Sequence, residues 1–107
     1  MRFFDKWFGD RTLGGIRSPR WSSVRKEFLR KNPECAVCRK RGWLKSNEAH
    51  HIIPFSIDKT KELNEENLII LCRQDHYFMG HYNSWRSYNK DVKQDAALWR
   101  TKIAERP

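Results

Sequence analysis

No apolar stretch of this chain approaches the roughly 20 residues that a membrane-crossing helix needs, so no membrane partner is expected. Cysteine is scarce and odd in number, three in 107 residues. That argues against a closed disulfide framework and for a reducing, cytoplasmic setting. Hydrophobic residues are 38% of the chain, which gives a small domain a thin core and makes a structural metal a natural supplement. The start, Met1-Arg2-Phe3-Phe4-Asp5-Lys6-Trp7-Phe8, is broken by charge and lacks a cleavage-site pattern, so it does not read as a signal peptide. Internal repeats and low-complexity segments are also lacking.

Negative charge is the minority sign: 13 Asp and Glu face 22 Lys and Arg, for a formal net charge of +9. The basic residues fall heavily between Arg17 and Lys45, and Trp, Tyr and Phe are interleaved with the charge. This composition suits a surface that tracks a phosphate backbone, and DNA is the expected partner. Arg20, Arg25, Lys59, Lys61, Arg73 and Arg86 are candidate phosphate contacts, each with plain solubility as its alternative.

Residues 1–16, with the turn signals Gly9-Asp10 and Gly14-Gly15, read as an N-terminal arm, and residues 17–107 as the domain. Ser18-Pro19 offers an N-cap and a first-turn proline, Trp21, Val24, Phe28 and Leu29 recur at helical spacing, and Asn32-Pro33 ends that helix. Trp43-Leu44 and residues 48–53 read as strands around a Lys45-Ser46-Asn47 turn, the second stopped by Pro54. Residues 55–66 read as a loop and Leu68-Ile69-Ile70-Leu71 as a buried strand. Asp75 is expected to cap a helix running to about Trp85. Asn89 or Asp91 is expected to cap a last helix, with Val92, Ala96, Trp99 and Ile103 as its apolar stripe.

Two groups of residues carry chemistry. Cys35 and Cys38 stand at knuckle spacing, and Cys72 follows beyond a strand pair, giving three of the four ligands of a tetrahedral structural zinc. The position that completes a second x-x spacing after Cys72 holds Asp75. Three arrangements stay open: Asp75 as the fourth ligand; Asp75 as a helix cap, with His76, His81 or water completing the site; or no zinc at all. The second group is Glu48-Ala49-His50-His51-Ile52-Ile53-Pro54, with Asn67 and His76 downstream.

Taken together, Cys35-x-x-Cys38, Ala49-His50-His51-Ile52-Ile53-Pro54, Asn67-Leu68 and Leu71-Cys72-x-x-Asp75-His76 resemble the HNH endonuclease family. A looser continuation through Phe78-Met79-Gly80-His81 and Asn83-Ser84-Trp85 looks like its phage-type and bacterial members. The resemblance implies an α+β fold, a small ββα-metal core at about 43–86 with flanking N- and C-terminal helices and a structural zinc. It implies that His50 and His76 hold one catalytic divalent metal, that His51 is the general base, and that Asn67 fixes the loop and orients His51. Neighbouring strand residues point to opposite faces, so two of them can serve one site only at a distorted strand end. His81 stands open between a third metal ligand, if the helix bends near Gly80, a DNA-phosphate contact and an ordinary surface histidine.

The implied activity is metal-dependent hydrolysis of DNA phosphodiester bonds, by nicking or double-strand cleavage, leaving 5′-phosphate and 3′-hydroxyl ends. Mg²⁺, Mn²⁺ or a transition metal such as Zn²⁺ or Ni²⁺ would serve the catalytic site, beside a structural Zn²⁺. A phage- or bacterium-encoded intracellular protein fits, as does a homodimer or a phage packaging or DNA-processing partner. The contrary reading is a non-catalytic, zinc-containing module that binds nucleic acid.

Overall fold

The computed structural model describes residues 17–41 and 47–105. The expected arm at 1–16, the Trp43-Leu44 strand, most of the turn after it and Arg106-Pro107 lie outside the described residues.

Helix α1 (Trp21–Lys31) begins two residues later than Ser18-Pro19 suggests. Ser18 still organises the start: its carbonyl accepts the Trp21 N–H at 3.0 Å and its hydroxyl accepts the Arg20 N–H at 3.1 Å. Asn32 closes the helix by donating its side-chain amide to the Phe28 carbonyl, and Pro33 prevents continuation. The apolar face of α1 is only half-buried, because it lies on β1 as an outer layer.

Strand β1 (Glu48–His51) pairs antiparallel with β2 (Leu68–Leu71), in the register Glu48 with Leu71, Ala49 with Ile70, His50 with Ile69 and His51 with Leu68. β1 therefore ends two residues short of the expected strand. The cause is Asn67. Its side-chain oxygen accepts the Ile53 N–H at 2.9 Å and its amide donates to the Ile53 carbonyl at 3.0 Å, so a side chain replaces the ladder and the chain bends away. The expected loop at 55–66 contains two short 3₁₀ turns, Lys59–Lys61 and Glu65–Asn67, capped by the side chains of Asp58 and Asn64.

After β2 the chain enters α2 (Arg73–Asp75), which passes without a break into a wider π-wound turn, His76–Gly80. Two expectations are corrected here. The N-cap is Cys72, whose sulfur accepts the Asp75 N–H at 3.5 Å, and not Asp75. The helix does not reach Trp85, because Tyr82 and Asn83 adopt left-handed φ values of 52° and 61° and end it just after His81. A last helix, α3 (Val92–Ala104), follows Asp91, with the Asn89 side chain accepting the Asp91 N–H at 2.9 Å.

The core gathers Cys35, Val37, Ile52, Ile69, Leu71, Met79, Val92 and Ala96. The expected stripe of α3 is buried only in its first half. Trp99 and Ile103 are 40% and 42% exposed, since the helix outruns the small body it packs on.

Candidate functional site

The Cys35–Cys38 knuckle is built by the backbone. The Cys35 N–H donates to the Lys40 carbonyl, the Arg39 N–H donates to the Cys35 carbonyl, and Arg39 takes a left-handed φ of 68° to close the turn. The Ala36 N–H donates to the Ile70 carbonyl at 2.9 Å, docking the knuckle on β2. Cys72 leaves the end of that same strand, so its sulfur reaches the pair. Sγ of Cys38 and Sγ of Cys72 are 3.9 Å apart, too far for a disulfide. Asp75, one turn into α2, places Oδ2 3.3 Å from the Cys35 sulfur and 3.2 Å from the Cys72 sulfur. All four side chains converge closely enough to hold one ion. Burial raises the Cys35 thiol and pushes the Cys72 thiol up to about 12, with the Asp75 carboxylate adding to both. In a half-buried group of this kind, an ion is what would draw the protons off.

The second cluster is built on β1 and the π-wound turn. His50 projects from β1 towards the π-wound turn, and the ring centroids of His50, His76 and His81 are 4.7, 4.9 and 5.0 Å apart. Winding explains why His81 belongs here. An α-helix stacks residues four apart, whereas a π turn closes i to i+5 and brings His76 and His81, five apart, to one face. Gly80 makes the approach possible, since a Cβ there would stand 3.1 Å from Cε1 and Nε2 of the His50 ring.

Each outer histidine is oriented by an acceptor on Nδ1. Oε1 of Glu48 lies 2.8 Å from Nδ1 of His76, and the Ser87 carbonyl lies 2.6 Å from Nδ1 of His81. These acceptors place the hydrogen on Nδ1 and leave Nε2 as the ligand atom. Nε2 of His50 is buried without a hydrogen-bond partner. An orphaned buried nitrogen beside two imidazoles is costly unless something binds it, so the donor set fits a divalent metal. Desolvation, reinforced by the neighbouring imidazoles, pushes His50 down to about 2; desolvation likewise lowers His81 to about 4. Both rings are thus neutral at pH 7, as ligands must be.

His51, the last residue of β1, opens into the same cleft of about 570 Å³ because the strand bends immediately after it. Its Nε2 lies 2.9 Å from the Glu62 carbonyl. A carbonyl only accepts, so Nε2 carries the hydrogen and Nδ1 keeps the lone pair. Trp21 of α1 packs on the ring, centroid to centroid 4.4 Å. Burial lowers His51 to about 4, with the Arg17 charge acting in the same direction. The Asn67 side chain hydrogen-bonds to the Ile53 backbone, while the His51 ring bonds to the Glu62 carbonyl. Besides holding Ile53, the Asn67 amide donates to the Lys61 carbonyl at 3.3 Å, bracing the loop one residue before Glu62.

Of the candidate phosphate contacts, Arg25 lines the cleft, while Arg20, Lys59, Lys61, Arg73 and Arg86 sit on the surface outside its lining. Sequence reasoning does not mark Glu48, Arg17, Trp21 or Trp85 as residues of this site, and expects Gly80 only as a bend. Trp85 walls the histidine cluster, 5.2 Å from His76 and 4.6 Å from His81. Only Glu48 carried a readable signal, since it shares a strand face with His50 two residues on.

Comparison with known families places this geometry. Residues 35–77 match the family model described as HNH endonuclease, a span that begins at the knuckle and ends just past His76. No curated protein and no solved structure matches the chain. Among the described residues, no helix is long and apolar enough to cross a membrane.

Proposed function

We propose, from the premise that residues 35–77 form an HNH endonuclease domain, that this chain hydrolyses DNA phosphodiester bonds in the cleft shared by His50, His51, His76 and His81. The family carries the coarser statement of a nuclease-like, metal-dependent function. The finer reading is supported above all by one observation: three imidazoles converge around the orphaned Nε2 of His50, while a fourth, His51, faces the same cleft with a lone pair on Nδ1.

His50, His76 and His81 are the residues that would hold a divalent metal. When bound, that ion supplies Lewis-acid stabilisation of the charge that develops on phosphate and leaving oxygen. The remaining chemistry belongs to the chain. His51 takes a proton from water at Nδ1, and the Glu62 carbonyl accepts the Nε2–H bond that strengthens as the ring becomes positive. Trp21 stops the ring from rotating. Asn67 works at one remove, by fixing the loop that presents Glu62. Glu48 and the Ser87 carbonyl orient His76 and His81. Cys35, Cys38, Cys72 and Asp75 would hold a structural zinc, tying the knuckle to the end of β2 and the start of α2, next to His76.

Plasmid cleavage assayed with Mg²⁺, Mn²⁺, Ni²⁺ and Zn²⁺ tests the reading. The wild type is expected to nick or linearise DNA with at least one ion. His50→Ala is expected to lose that turnover while keeping DNA affinity. A wild type that shifts DNA but never cuts it with any of the ions would establish the non-catalytic binding module instead.

A further inference from the structure

Arg17, Trp21 and Arg25 precede the matched span yet line the cleft, so a wall of the site comes from outside the HNH core. Arg17 is the most constrained of them. Its guanidinium carbon stands 5.0 Å from the Phe55 ring centroid and 5.5 Å from that of Trp21. Trp21 is the ring that packs on His51, so the cation sits one aromatic ring away from the proposed base.

Behind Arg17 is Glu62, a buried carboxylate. Both of its oxygens lie within reach of the Ser18 N–H, at 3.2 and 3.3 Å. Its ion pair with Arg17, Nη1 to Oε2, is 3.7 Å long. That distance orients a charge but is too long for a direct hydrogen bond. Among the described residues no other carboxylate pairs with Arg17. A guanidinium has five N–H donors on a planar fork; aromatic faces fix its plane without consuming them. The Arg17 side chain is 44% exposed. It is therefore stacked, steered from behind, and open along its edge in a cleft of a strongly basic chain.

We propose that Arg17 is a phosphate clamp, gripping two oxygens of one backbone phosphate of the bound strand on the His51 side of the cleft. Planar, two-pronged recognition of phosphate is what a stacked arginine does and a lysine does not. Glu62 serves it as a positioning residue. One loop then carries both devices: its carbonyl sets the His51 tautomer and its carboxylate aims Arg17.

This inference rests on the nuclease reading, and the experiment separates their failures. DNA binding is measured on the zinc-loaded 107-residue chain without added catalytic metal, by fluorescence anisotropy of a labelled duplex across a salt series, and single-turnover cleavage is measured with metal. Arg17→Met keeps an unbranched stem against the rings and removes the fork. It is expected to reduce the slope of log K against log salt by about 0.9, the loss of one phosphate contact. Arg17→Lys is expected to keep the wild-type slope but cleave about tenfold more slowly, because a point charge lacks the fork. A wild-type slope in Arg17→Met, or a wild-type rate in Arg17→Lys, overturns the clamp while leaving the nuclease intact. Should Arg17→Met not fold, the Arg17→Lys rate decides alone. A wild type that neither cuts nor binds DNA with any salt dependence removes the nuclease reading and the clamp together.

Discussion

Nε2 of His51 stands 2.9 Å from the main-chain carbonyl of Glu62, and that single contact decides which nitrogen of the ring can act as a base. Because the partner is backbone, no side-chain substitution at Glu62 deletes it; only movement of the loop does. His51→Ala is therefore the clean removal. Metal-supported cleavage is expected to fall by roughly 10²–10⁴-fold, the usual contribution of a positioned general base. DNA affinity measured without added catalytic metal should change little. Wild-type cleavage by this variant would show that water is activated elsewhere.

Gly80 and His50 define a second dependence. A Cβ at Gly80 would meet the His50 ring at 3.1 Å, on the buried carbon and nitrogen that face the cluster. The ring is held between β1 and the π turn, so it has little room to yield. Gly80→Ala is expected to weaken divalent-metal binding on the order of tenfold, as disturbances beside a ligand typically do. Calorimetric titration with Mn²⁺ or Ni²⁺ reads this directly. Unchanged affinity would mean that Nε2 of His50 is not a ligand.

Acid should loosen the protein when it is dialysed free of loosely held metal. Burial lowers His50 to about 2 and His51 and His81 to about 4, all below the ordinary value of 6.5. Between about 4 and 6.5 the unfolded chain thus binds more protons than the folded one, and stability rises with pH across that window. It is complete above about 6.5 and drains away as pH falls. The melting temperature is expected to drop by more than about 5 °C between about pH 7.5 and about pH 5, since each lost kcal/mol shifts a domain of this size by roughly 4–8 °C. A flat melting profile across that range would show that these rings are well hydrated.

How far the sequence reveals this arrangement depends on the range of each cause. The knuckle, β2 and the His50-His51 pair are legible because residue type and short spacing suffice to suggest them. Asp75 is legible only as an alternative, since counting residues cannot tell a cap from a ligand. The structure shows that Cys72 does the capping and that the Asp75 carboxylate turns to the sulfurs. The place of His81 depends on π winding, which is set by how the turn packs on His50 and leaves no periodic trace. Trp21 stacking on His51 joins residues thirty apart in the chain. It looks identical, in sequence, to one more apolar position on an amphipathic helix. The exposed end of α3 misleads for the opposite reason: its stripe is regular, but the body beneath it stops at Ala96.

Asp75 offers the sharpest test of the structural metal. Its Oδ2 lies 3.2–3.3 Å from two cysteine sulfurs, close enough to complete a set of four around one ion. If it does, loading zinc onto apo protein near pH 7 should release about three protons, one per thiol. Asp75→Cys converts the site to four thiolates and is expected to release about four protons and bind zinc more tightly. Asp75→Ala should lower zinc affinity and melting temperature, and Cys35→Ser should lower both further, since a buried thiolate ligand is then lost. Proton release is read with a pH indicator in weak buffer, and zinc content by atomic absorption on the purified protein. Zinc bound equally well by Asp75→Ala would leave the fourth position to water or to a histidine and would detach the start of α2 from the metal. His76 would then owe its position to Glu48 and the π turn alone, and zinc removal should leave the three-histidine site able to bind Mn²⁺ as before.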